Sequence, residues 1–160
     1  RMNPDPAFAA SMAAFTAAER GAEVLLLDSR PAIGAKILVA GGGRCNVTNA
    51  RISADCYNAG SSAFVAQVLA AFPLSETREF FAESGVRLKE EEAGKLFPTT
   101  NSSQTVLDAL LSRLKASHAR LRAGAAVRNV APCREGWRVE TERGVLSARA
   151  VILCTGGLDP

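Results

Sequence analysis

The residues with the most chemical potential stand in one block, Gly41-Gly42-Gly43-Arg44-Cys45-Asn46-Val47-Thr48-Asn49, entered through the apolar run Ile37 to Ala40. Three consecutive glycines remove every Cβ from a turn, so the backbone can adopt φ > 0 and approach another molecule closely. Successive N–H groups in such a turn make a concavity for an anion, and Arg44 adds a planar fork suited to phosphate oxygens. A glycine cluster alone is more often a plain connection between elements. Here an arginine and two asparagines follow at once, and a nucleotide-type pattern lies upstream. That combination favours a phosphate cradle.

The remaining reactive side chains are scattered. The four cysteines, at 45, 56, 133 and 154, include no C-x-x-C pair. Their spacing supports neither a zinc site nor a thioredoxin-type dithiol, and no metal is expected. Four reduced thiols suit a cytoplasmic protein. Cys45 stands apart because it lies in the glycine block beside Arg44, where a thiol pKa can fall. The lone His118 has no partner acid or nucleophile nearby in sequence and reads as a helix-terminus residue. Glu90-Glu91-Glu92 reads as a solvated acidic turn without a chemical role. No cluster qualifies as a catalytic acid or base, so catalytic residues stay unassigned.

The block needs elements to position it. Phe8, Met12 and Phe15 recur on one face of an alanine-rich helix over Ala7 to Arg20, stopped by Gly21. The apolar run from Ala22 closes on Asp28 and reads as a buried parallel strand. Helix, tight turn and acid-terminated strand form the second half of a mononucleotide-binding βαβ unit, in which that acid takes the ribose hydroxyls. Asp28 is equally compatible with a plain strand-end aspartate. On the G-x-G-x-x-G frame the glycine positions fall on Asp5, Ala7 and Ala10, so the glycine fingerprint is absent and the chain reads as beginning inside the motif.

Further along, Phe64, Val65, Val68, Leu69 and Phe72 form a helical stripe ended by Pro73, and a short helix follows from an N-cap at Ser75 to Ser84. Val86 to Glu90 alternates like a half-exposed strand. Asn101 and Gln104 have capping-box spacing ahead of the strongest stripe, Val106, Leu107, Leu110, Leu111 and Leu114. A strand-like stretch covers Leu121 to Val130, and a hairpin turns at Arg143-Gly144. Ala150 to Cys154 reads as a second buried strand running into Thr155-Gly156-Gly157, at the carboxyl edge where ligands of parallel sheets bind.

Composition sets the outer bounds. At 160 residues, 48% hydrophobic and 22% charged, the chain can build one soluble globular domain. No apolar run is long enough to span a bilayer. Arg1 to Pro6 and the interrupted stretch 7–18 do not read as a signal peptide. A net charge of +3 says little about partners. RNA binding through Arg113, Lys115, Arg120 and Arg122 lacks the interleaved aromatics that a nucleic-acid face needs, so neither nucleic acid nor membrane is expected as a partner. Oligomeric state is not legible.

Taken in order, Asp28, Gly34-x-Lys36-Ile37-Leu38, the GGGRCNVTN block, Leu96-Phe97-Pro98 and Thr155-Gly156-Gly157-Leu158 carry a family likeness. The chain resembles bacterial FAD-dependent flavoproteins of the BaiN type, described as aminoacetone-oxidase-like or NAD(P)/FAD-dependent oxidoreductases, over Ala9 to Leu158. The resemblance implies an α/β fold: a partial Rossmann-like FAD-binding domain with a parallel sheet flanked by helices and a small β-hairpin or meander, its first strand missing. It implies one domain over residues 1–160, the N-terminal part of a longer flavoprotein. FAD is the implied cofactor, with NAD(P)H as electron donor in the full-length protein. Asp28 would hold the adenosine ribose, where the family commonly has Glu. Lys36, Gly41, Gly42, Gly43 and Arg44 would lie along the pyrophosphate and ribityl side, with Cys45 and Asn46 towards the flavin. Val127 would meet adenine through its backbone, and Thr155, Gly156 and Gly157 would close the second side of the pyrophosphate site.

Two functions remain open at this level. One is the FAD-binding portion of a flavin-dependent oxidoreductase with its substrate unassigned. The other is a non-catalytic, truncated nucleotide-binding module or inactive fragment.

Overall fold

A computed structural model describes residues 6–58 and 60–156. Asp5 of the glycine frame, and Gly157 and Leu158 of the C-terminal motif, lie outside the described residues. The chain divides into two compact units, residues 1–37 with 110–160 and residues 38–109.

In the first unit, helix α1 (Pro6–Glu19) precedes strand β1 (Leu25–Leu27), which pairs in parallel with β5 (Arg120–Arg122). Alanines favour the helix, and α1 buries Ala7, Ser11, Ala14 and Phe15. Gly21, at φ +86°, turns the chain from α1 towards β1. β1 is thus a parallel strand as expected, but its partner is β5, in register Leu25 to Arg120 and Leu27 to Arg122, and not the second strand read at 150–154. Arg113 ties this unit together: its Nε donates to Glu19 Oε1 at 2.9 Å, and its guanidinium stands 6.0 Å over the Phe15 ring.

Beyond β5 the chain forms an antiparallel meander of β6 (Val127–Cys133), β7 (Gly136–Thr141) and β8 (Gly144–Ala148). The turn at Arg143-Gly144 falls where the sequence places it, with Gly144 at φ +123°. The tail differs from expectation. Residues 150–156 are in no strand, and Ile152 and Leu153 are 66% and 71% exposed. An apolar run becomes a buried strand only when a ladder and a covering layer receive it, and no described strand pairs with this one.

The second unit is built on a three-stranded antiparallel sheet with β4 (Lys95–Pro98) between β2 (Thr48–Asn49) and β3 (Leu88–Glu90). Leu96, Phe97 and Pro98 of β4 are buried. Helix α2 (Ala35–Val39) leads into the glycine block. Helix α3 (Ser62–Ala71) is capped by the Ser61 hydroxyl, which accepts from the Phe64 N–H. Helix α4 (Leu74–Glu83) begins one residue before Ser75, from an N-cap at Pro73. Helix α5 (Ser103–Ala116) carries the strongest stripe, and Val106, Leu107, Leu110 and Leu114 are buried as that pattern requires. Its start departs from the capping-box expectation: Asn101 sits at φ +54°, and Gln104 donates forward to Asp108.

The α3 stripe is legible as a helix, yet no α3 residue is buried. Burial within this unit instead centres on Phe81, at 0% exposure, with Val86 and Leu96. Phe81→Ala is therefore expected to cost about 3–5 kcal/mol in urea unfolding. Phe64→Ala, on a side chain 65% exposed, should stay within about 1 kcal/mol. Equal losses from the two would refute this placement of the core.

Candidate functional site

The glycine block is anchored at both ends. Ser103, buried at the start of α5, donates from its N–H to the Gly43 carbonyl at 2.8 Å and from its hydroxyl to the Leu38 carbonyl at 2.9 Å. At the other end the Val47 N–H donates to the Leu96 carbonyl at 2.8 Å, and Thr48 then enters register with Leu96. The turn between is left-handed at four residues: Gly41, Gly42 and Gly43 at φ +57°, +69° and +85°, and Cys45 at φ +59°. Glycine meets that demand without strain, whereas a side chain costs roughly 1–2 kcal/mol there. Cys45 is a buried non-glycine residue in this conformation; such an outlier within a candidate site is the kind that structures retain for a reason.

The three glycines are not equivalent. A Cβ on Gly41 would lie 2.9 Å from the Asn46 nitrogen and 3.0 Å from Phe97 Cε1. A Cβ on Gly42 would meet nothing within 4 Å. Gly41 is thus required by the protein's own packing, while the space beside Gly42 is open. Two of the turn's N–H groups are not aimed outward: those of Gly43 and Cys45 both donate to the Ala40 carbonyl, at 3.2 and 2.8 Å.

Arg44 is held on two sides. Its Nη2 donates to Glu91 Oε2 at 2.5 Å, and its Cζ lies 4.1 Å from the centroid of the Phe97 ring, within cation–π range. Lys89 Nζ stands 2.8 Å from the other oxygen of Glu91. Glu91 is therefore not the idle surface acid that the Glu90-Glu91-Glu92 run suggests. Its two bonded cations, Arg44 first and Lys89 second, hold its pKa down to about 2 from an ordinary 4.5. Within the block, Arg44 Nε and Asn46 Oδ1 are buried with no hydrogen-bond partner. Buried polar atoms without partners are rare and costly, about 1–3 kcal/mol each, so a donor and an acceptor left in one short block point to a group that the chain itself does not supply.

The other expected site residues lie in the first unit. Asp28 follows β1 directly and is partly exposed; its Oδ1 accepts from the Arg30 N–H at 2.8 Å, its N–H donates to the Arg122 carbonyl, and its own carbonyl accepts from Ala125. One carboxylate oxygen thus closes a local turn. Lys36 is an exposed residue of α2. Val127 opens β6 opposite Thr141, just before a register shift in that ladder. Thr155 and Gly156 are exposed, Gly156 at φ +81°, where a Cβ would come 2.8 Å from Pro6 Cγ. Among the described residues no group of three or more His, Cys, Asp or Glu gathers to hold a metal ion, and no helix is long and apolar enough to cross a membrane.

Sequence reasoning passed over Glu91, Lys89 and Ser103. Nothing local marks Glu91 or Ser103, because their roles arise from contacts to residues 47 and 65 positions away, and Lys89 matters only through its neighbour Glu91. Phe97 stood inside a noted motif with no role attached.

The family model described as HI0933-like protein Rossmann domain matches residues 8–159. A 3-dehydro-bile acid delta(4,6)-reductase from Clostridium scindens is 33% identical over 136 residues, covering 85% of this chain and 33% of that protein. A ribosomal RNA dihydrouridine synthase from Escherichia coli is 29% identical over 142 residues, covering 89% of this chain and 35% of that protein. The chain thus spans about a third of the length of these curated relatives. Among solved structures, Thermovibrio ammonificans THI4 matches with a TM-score of 0.51 at 15% identity, over 86% of this chain and 43% of that one, a likeness of fold alone.

Two outcomes follow from this geometry. Because Glu91 titrates lower when folded than when unfolded, the stability it contributes is present above about pH 4.5 and is lost as pH falls from there towards about 2. The stability gap between the native protein and Glu91→Gln should therefore be open at pH 7 and close as the pH is lowered through that window; a pH-independent gap would contradict the pairing. Gly41→Ala should destabilise by more than the 1–2 kcal/mol of a left-handed side chain, because a clash is added, whereas Gly42→Ala should stay within that range in the same unfolding assay.

Proposed function

The chain belongs to the HI0933-like Rossmann-domain family, and from that premise we propose that it is the FAD-binding portion of a flavin-dependent oxidoreductase. The observation that supports this most is the glycine block, which is open beside Gly42 and carries a buried, unpartnered donor on Arg44 and acceptor on Asn46. Those features fit a large hydrogen-bonding cofactor better than a plain connecting loop. The cofactor, when bound, supplies the electron-transfer chemistry, and the protein binds and orients it.

In this proposal the Asp28 carboxylate takes the adenosine ribose, as an acid does at the end of a strand in dinucleotide-binding folds. Lys36, Gly41, Gly42, Gly43 and Arg44 line the pyrophosphate and ribityl side, and Cys45 and Asn46 face the flavin. The Val127 backbone meets adenine, and Thr155 to Gly157 close the second side of the pyrophosphate site. A nicotinamide nucleotide, NADH or NADPH, serves as electron donor in the full-length protein. We also place the protein in the cytoplasm, since cysteines outside disulfides suit a reducing compartment; none of the four is in a disulfide.

The test is a flavin titration. The protein should purify yellow or take up added FAD, and Gly42→Ala should weaken that uptake at least tenfold, since a methyl group would fill the open space. A colourless protein that takes up no FAD would instead favour a non-catalytic nucleotide-binding module.

A further inference from the structure

Arg44 is the only charged residue of the GGGRCNVTN block, and its fork is already engaged. Glu91 Oε2 sits 2.5 Å from Nη2, Phe97 lies against the guanidinium face, and Lys89 engages the second carboxylate oxygen at 2.8 Å. A phosphate arriving at this fork would meet a carboxylate in place, and like charges at contact repel. The unpartnered pair in the block has a different demand: Arg44 Nε is a donor and Asn46 Oδ1 an acceptor. An ionised phosphodiester has acceptors only, so it cannot satisfy Asn46 Oδ1. A hydroxyl or an imide both donates and accepts.

We infer that Glu91 is a positioning residue that, with Phe97, orients Arg44 and occupies its fork, so that the glycine block takes an uncharged hydrogen-bonding part of the flavin, its polyol or ring imide, and not its pyrophosphate. This rests on the flavin reading above and narrows it, moving Gly41 to Gly43 and Arg44 from the pyrophosphate to the ribityl side alone. Arg44 and Asn46 act on the uncharged end. Both unpartnered atoms are closed to solvent, so binding displaces part of the block.

The experiment is a fluorescence titration of the protein with three probes, FAD, riboflavin and ADP, before and after Glu91→Gln. Riboflavin carries the uncharged end alone and ADP the charged end alone. Glu91→Gln should weaken FAD and riboflavin at least tenfold and leave ADP within threefold. Arg78→Gln, which breaks an exposed ion pair with Glu90, should keep all three within threefold, and it controls for surface charge and folding. Unchanged riboflavin binding in Glu91→Gln, or tighter ADP binding, would make Arg44 an anion ligand and overturn the inference while the flavin reading stands. If the unsubstituted protein binds neither FAD nor riboflavin, both fall.

Discussion

The guanidinium of Arg44, paired with Glu91 and lying on Phe97, is the contact on which the 38–109 unit's candidate chemistry depends. It joins three separate stretches of chain: the glycine block, the connection after β3, and the central strand β4. A glycine-rich turn by itself has high conformational entropy, and ordering it costs free energy. Here the cost is offset by contacts at defined points. Ser103 fastens Gly43 and Leu38, Val47 joins the β4 ladder, and the Arg44 side chain lies on a buried ring of the same strand. The block is therefore a shaped surface element on a sheet and not a loose connection.

That anchoring changes what the block can bind. N–H groups that would face an anion in an open nest are partly spent on Ala40, and the arginine fork is matched by a carboxylate. What remains is space at Gly42 and two buried polar atoms that ask for a donor and an acceptor together. The other unit has the opposite character. Its parallel pair β1–β5 delivers Asp28 at a strand end, and its meander is held by ladder bonds that leave the Val127 end exposed.

Much of this was legible in the residues. Period and punctuation place α1, α5 and the β7–β8 turn, because an apolar stripe and a glycine stop act over a few residues. The motif likeness also holds, since the family match runs over residues 8–159. What was not legible depends on distant partners. Ile152 and Leu153 look like a core strand by composition, yet pairing and not composition decides a strand, and no described strand receives them. Phe64, Val68 and Phe72 form a clear helical stripe, but periodicity reports a helix and cannot report what covers it. Glu91 sits in an acidic triplet whose members are identical in sequence, and only the fold singles out the one that meets Arg44. Asn101 and His118 take left-handed backbone at the two ends of α5, a choice that fits their neighbourhood and has no counterpart in the capping-box spacing.

The central claim is that the glycine block grips a flavin. It is tested most directly by following the backbone amide resonances of Gly41 to Asn46 by NMR while FAD is added. The account predicts saturable shifts concentrated at Gly42 and Asn46, with smaller changes at α3. Shifts confined to other parts of the chain, or none across the block at saturating FAD, would contradict it.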